Sequence, residues 1–406
     1  MHLWSDMNQS SAAGHPTDRS LRPNHRYEEL DSLRGLAAIT VLIAHYSNLF
    51  LVQSGPYVRV GEFVESVRRT PLFALFAGHE AVMLFFVLSG FVLSLQFLKG
   101  KPVDYGSFAI KRIFRIYVPY LIALGVAVTC CKFLYSGHID ELSDWFNTPW
   151  SEGITGRALL DHIIFLGSYK TDRFDPVLWS LVHELRISLV FPFLIALFLK
   201  RTWKGNLLLA VALSLFGTTT TLVLVKFGIH WNFFLTMHFV AMFILGFLLA
   251  QNVSAIYAWF RNLNFLFRAG IALIGFCLYA FSHGLPGRLK YFEDLPIAAG
   301  AALLVMTGIC SLRTSAFLRR GIVKFFGDIS YSLYLYHAVV LISLTHALYG
   351  RVHVSVILVL AAAVTILVSR LSYKYIELPA IRWGKVCSGY VQREQPGLGG
   401  QLEYMP

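Results

Sequence analysis

The sequence predicts an all-α, polytopic integral membrane protein with about ten transmembrane helices, and three observations carry that reading. Of 406 residues, 56% are hydrophobic and 14% are charged, where soluble globular chains run near 25% charged. The mean hydropathy of +0.59 places the apolar residues in long runs, and each crossing of a ~30 Å hydrocarbon layer needs roughly 20 of them. The net charge of +12 is spread through the loops between those runs. It therefore excludes a nucleic-acid binder and reads as the cationic bias of cytoplasmic loops.

Residues 1–30 are polar, hold Pro16 and Pro23, and lack an apolar core of the kind a cleaved signal peptide needs, so a cytoplasmic N-terminal tail is expected. Ten apolar spans follow, at about 35–53, 73–98, 115–135, 177–199, 206–226, 232–250, 269–283, 295–312, 329–349 and 354–376. The seventh barely reaches across a bilayer. Residues 381–406 read as a cytoplasmic C-terminal tail, Gly- and Gln-rich and disordered from 386. With both ends inside, the cations split 23 in cytoplasmic segments to 11 outside, with Arg186 inside a span. That split predicts an inner or plasma membrane protein with both ends cytoplasmic, in contact with membrane lipids. The longest connection, 136–176, is extracytoplasmic, contains Trp145 and Trp150, and is too short for a domain, so it is expected to cap or bind.

The five cysteines form no C-x-x-C pair and read as small hydrophobes. No G-x-S-x-G, H-E-x-x-H or phosphate-loop motif is present, which argues against a lipase, a zincin or an ATP-driven pump. No metal site is expected.

Ionisable groups inside spans are costly and mark function by default. His45 lies near the middle of the first span, eleven positions after Arg34. Eleven steps of 100° leave about 20° of offset, so both share one helix face about 16 Å apart. As purely structural groups, Arg34 anchors the span end and His45 bonds a neighbouring helix. In LWSLVHELRISLVFPF the fourth span carries His183, Glu184 and Arg186, with Ser180, Glu184 and Ser188 on one face. Glu184 reaches a depth similar to His45, and its structural alternative is an ion pair with Arg186. Arg112 and Arg115, at i and i+3 where the third span begins, suit a phosphate-bearing ligand or lipid headgroups. Ser89 and Gly90 favour close helix approach in the second span. Asp328, Ser330, Tyr331, Tyr334 and His337 form a polar stripe in the ninth, for packing or catalysis.

These motifs occur in a familiar order. YEELDSLRGLAAITVLIAHY, GHEAVMLFFVLSGFVLS, FAIKRIFRIYVPY, LWSLVHELRISLVFPF and GDISYSLYLYH resemble, in sequence, the membrane acyltransferase-3 family over about residues 27–380. The resemblance implies an acyltransferase-3 transmembrane domain at 31–380 of the stand-alone type, without an SGNH hydrolase-like domain. It matches Arg34 and His45 to the family's R-x10-H pair, Arg112 and Arg115 to its R-x-x-R pair, and Glu184 to the acidic residue after Trp-Ser-Leu. His183 and Arg186 have no assignment in that pattern.

The implied activity is O-acylation, acetyl most often, from acyl-CoA (acetyl-CoA) to a hydroxyl of a surface polysaccharide or other carbohydrate acceptor. Arg34, Arg112 and Arg115 then hold the CoA phosphates. His45 serves as base or as acyl carrier, and Glu184 orients it. A transporter or flippase of a lipid-linked compound is the alternative. It predicts inverted repeats, and none is evident in the sequence. A scaffold that binds acyl-CoA without turnover is the third reading.

Overall fold

The computed structural model describes residues 27–99, 103–164, 170–229, 231–285 and 287–394. Among these residues all the regular secondary structure is helical. Ten principal helices form the bundle: α1 (Glu28–Asn48), α2 (Gly78–Phe97), α3 (Tyr105–Leu134), α4 (Leu178–Leu199), α5 (Trp203–Lys226), α6 (Phe233–Gln251), α7 (Phe265–Phe281), α8 (Asp294–Cys310), α9 (Ser330–Leu348) and α10 (Val354–Tyr390).

Each helix falls on one of the ten expected segments. Among the described residues, seven helices are long and apolar enough to cross a membrane, or eight if α8 is joined with Leu312–Leu318 across a 91° bend. Helix α1 falls outside the count because it begins seven residues early and takes in Glu28, Glu29, Asp31 and Arg34. Helix α7 has only 17 residues. Most of both expected tails lies outside the described residues, yet the helix Leu378–Glu394 runs through residues 386–394, where a disordered tail was expected. The segment packs along the start of α3: Ser107 Oγ donates to Ser388 O at 3.0 Å, and Gly384 meets Phe114.

Of the candidate spans, α2 and α9 are the most enclosed and α5 the least. Leu208, Phe216 and Val223 on α5, and Val356, Val359 and Leu367 on α10, point outward, as a lipid-facing surface requires. Between apolar helices in lipid, close backbone contact replaces the hydrophobic drive. Gly90 and Gly246 provide it: a Cβ on Gly90 would lie 2.4 Å from Phe243 O, and one on Gly246 2.1 Å from Val87 O. The Ser89–Gly90 expectation therefore resolves into an α2–α6 crossing. Asp294 ties the far ends of the same helices, accepting from His79 Nε2 at 2.5 Å and from His238 Nε2 at 2.9 Å.

Helix α3 carries a π-helical turn at Ile113–Tyr117 and α10 another at Tyr373–Glu377. Each ends two residues before a proline, Pro119 and Pro379. A proline lacks the N–H and crowds the carbonyl four residues back, and a wider turn relieves that crowding without ending the helix.

The 135–177 connection is knotted rather than loose. Asn147 bonds the backbone of Ile139, Leu142 and Ser143. Trp150 is fully buried, adopts φ +70°, and donates its Nε1–H to Phe174 O at 2.8 Å.

Candidate active site

A cavity of about 550 Å³ opens at the end of the bundle where α1 begins. Its mouth is lined by Asp31, Asp328 and Lys385, and its walls by Arg34, Arg112, Arg115, Glu184 and Glu377. The sequence-predicted Arg34, Arg112, Arg115 and Glu184 are thus brought together. The two π-turns face this cavity: one carries Arg115 and Ile116, the other Tyr373 and Glu377. The widened turn leaves the Ile116 carbonyl to accept from Tyr331 Oη at 2.7 Å.

The polar groups form short chains. Arg34 Nη2 donates to Ser89 Oγ at 3.4 Å, and Ser89 Oγ donates to Glu184 Oε1 at 2.7 Å. Arg112 stacks over Phe108 at 5.5 Å, while its Nε is buried with no hydrogen-bond partner. A buried guanidinium N–H left unbonded beside a cavity is costly, and an anionic ligand would satisfy it. Glu377 is only 5% exposed, with Oε2 3.1 Å from Ser332 Oγ. Sequence reading missed Glu377, because it placed the end of the tenth span at residue 376.

His45 is elsewhere. Its Nδ1 lies 2.9 Å from His337 Nε2 on α9, and the rings stack at 5.0 Å. Trp145, from the short helix Asp144–Asn147, has its ring centroid 4.7 Å from that of His45. Neither histidine lines the cavity, whose inner end is formed by Val82, Ser180, Leu181 and Tyr334. The expected His45–Glu184 pairing is therefore corrected. Similar depth on two helices fixes height but not facing, and Glu184 turns toward Ser89 on α2 while His45 turns toward α9. The Glu184–Arg186 ion pair is likewise replaced: Arg186 Nη1 donates to Asn232 Oδ1 at 2.9 Å. His183 Nδ1 pairs with Thr236 Oγ1 at 2.8 Å, so both brace α4 against α6.

The tautomers of the histidine pair follow from its partners. His337 Nδ1 lies 3.0 Å from Leu333 O, and a carbonyl only accepts, so this nitrogen carries the proton. In the neutral ring His337 Nε2 is then the acceptor, and His45 Nδ1–H must donate to it. His45 is left with its lone pair on Nε2, which no hydrogen bond engages among the described residues.

An acyltransferase-domain family model, acyltransferase-3, matches residues 27–373. The chain belongs to this acyltransferase family. The acyltransferase is also similar to nodulation protein 10 of Rhizobium leguminosarum bv. viciae, 24% identical over 376 residues, covering 88% of this chain and 94% of that one. A shorter match, to protein 2 in the picA locus of Rhizobium radiobacter, is 27% identical over 181 residues, 42% of this chain and 84% of that protein. No solved structure matches.

Proposed function

We propose that this acyltransferase moves an acyl group, acetyl in the simplest case, from cytoplasmic acyl-CoA to a hydroxyl of a carbohydrate or related acceptor on the opposite side of the plasma membrane. One observation carries the reading: the arginine-lined cavity rises from one end of the bundle and stops a helical turn short of His337 and its partner His45. The loop charges support placing that end in the cytoplasm, with both termini.

In this reading Arg34, Arg112 and Arg115 hold the CoA phosphates, with guanidinium forks suited to phosphate oxygens. Glu184 steers Ser89, and through it Arg34. A pantetheine arm spans the ~16 Å between Arg34 and His45 that eleven helical residues set. The acceptor hydroxyl enters beneath the Trp145 segment and gives its proton to His45 Nε2. His337 holds the imidazole in the required tautomer and shares the charge that develops, the part a carboxylate takes in a hydrolase triad.

The test uses detergent-purified protein, acetyl-CoA and a panel of methyl hexosides, read as CoA thiol release. His45→Ala should abolish acceptor-dependent release, a loss on the order of 10²–10⁴-fold, while acetyl-CoA binding stays near wild type. A folded His45→Ala protein that binds acetyl-CoA and keeps most of its turnover would falsify the assignment.

A further inference from the structure

Tyr334 is the point at which the donor cavity and the imidazole pair meet. On α9 it sits three residues before His337, so both lie on one face, with ring centroids 5.9 Å apart. Tyr334 lines the inner end of the cavity, is 5% exposed, and is held edge-on by Phe85 at 5.5 Å. Its ring position is therefore fixed by packing on both sides.

Its hydroxyl belongs to a triangle of three oxygens. Tyr334 Oη lies 2.7 Å from Ser180 Oγ and 3.4 Å from Val177 O, and Ser180 Oγ lies 3.2 Å from Val177 O. Two hydroxyl protons serve three contacts, so one contact is always redundant. When Ser180 donates to Tyr334 Oη across the 2.7 Å contact, the phenol proton is free to turn into the cavity, and Val177 O gives up only its two longer side-chain contacts, at 3.2 and 3.4 Å. The short bond is kept, so the cost of leaving a buried partner unmet is small here. That is the property a preorganised oxyanion donor needs.

We infer that Tyr334 is a catalytic residue whose hydroxyl donates a hydrogen bond to the thioester carbonyl oxygen as negative charge builds on it. The inference rests on the acyl-transfer reading above. The acceptor oxygen bonds to the carbonyl carbon while its proton passes to His45 Nε2. The C=O π pair moves onto the carbonyl oxygen, where Tyr334 Oη–H receives it. As the carbonyl re-forms, the C–S bond breaks, and the CoA thiolate takes the proton from the His45 imidazolium. Atoms and charge balance without a further reactant.

The test is Tyr334→Phe, which keeps the ring contacts with Phe85 and His337 and leaves Ser180 to satisfy Val177. The expected result is a fall in kcat of roughly 10²–10³-fold, the usual loss for one oxyanion donor. KM for acetyl-CoA, and binding of a non-cleavable acetyl-CoA thioether, should stay within about threefold of wild type, because the bond forms only in the transition state. Ser180→Ala should cost less than Tyr334→Phe, since the phenol remains. The inference is overturned if Tyr334→Phe keeps kcat within about threefold of wild type while His45→Ala abolishes it, and the acyl-transfer reading then survives. It is also overturned if Tyr334→Phe loses thioether binding in proportion to activity, which makes the residue a binding wall. If wild-type protein neither binds the thioether nor releases thiol, both readings fall together.

Discussion

His45 Nδ1 and His337 Nε2 lie 2.9 Å apart, joining the first and ninth segments of a chain that separates them by 292 residues. Because Leu333 O fixes the proton on His337 Nδ1, this contact decides which nitrogen of His45 is basic. His337→Ala removes that decision. We expect kcat to fall by at least about tenfold with little change in KM for acyl-CoA, as loss of a tautomer-fixing partner does. His337→Gln, whose amide oxygen can accept from His45 Nδ1–H, should recover part of the loss. Equal kcat for His337→Ala and wild type would assign the contact to packing.

Arg112 and Arg115 are expected to act on the donor alone. Replacing either with Ala should raise KM for acetyl-CoA at least several-fold while leaving the acceptor KM unchanged. Lys should restore only part, because it cannot form the planar fork. An unchanged donor KM in the double variant would make them lipid anchors.

Asp175 gives a pH signature outside the spans. Burial, with one oxygen unpartnered, pushes its carboxyl up to about 8, whereas in the unfolded chain it titrates near 3.9. Between those values the folded state holds the extra proton. Stability should therefore fall as pH rises from about 4 to 8 and level off above. In Asp175→Asn, which keeps the bond accepted from Val177 N–H, that slope should flatten. Melting curves across this range in detergent are the measurement, and an unaltered slope counts against it.

Gly90→Ala should be destabilising although Ala suits helices. The added Cβ would lie 2.4 Å from the Phe243 carbonyl oxygen, so α2 and α6 must part. Overpacking of this kind costs roughly 1–3 kcal/mol, which for a chain of this size means a melting temperature lower by roughly 1–4 °C.

Topology is best tested at surface positions. In a background with the five cysteines replaced by Ala, Cys at Asp140, whose side chain is 94% exposed, should react with an impermeant thiol reagent added outside. Cys at the exposed Arg313 should react only after permeabilisation. The reverse pattern would invert the orientation. Trp150, in the same connection, is unsuitable because it is buried beneath Phe174.

How much of this was legible in the sequence follows from what each signal encodes. Apolar run length gave all ten helical segments, and the placement of Arg34, Arg112 and Arg115 at one end of their helices anticipated a shared cationic site. Periodicity reports which residues share a face of one helix, not which neighbour that face meets. So it placed Glu184 at the height of His45 and missed His337 as the partner. Glu377 was invisible for another reason: YKYIE carries no breaker, and the signal lay downstream in Pro379. The α1 start was misjudged because Glu28, Glu29 and Asp31 are polar yet favour a helix N-terminus.

A π-turn is a single inserted residue absorbed within a helix whose flanks keep their facing. Chain length is therefore part of the site's specification. Deleting Phe114 from α3 would close the turn at Ile113–Tyr117 into regular helix, leave the buried faces on either side in register, and swing Arg115 roughly 50° around the axis, because six steps between the fixed flanks become five. In α10 the equivalent turn carries Tyr373 and Glu377 into the same cavity. The arginine wall of the cavity is thus set by counting as much as by chemistry, and a one-residue gap in α3 would disarm the site without altering any residue that lines it.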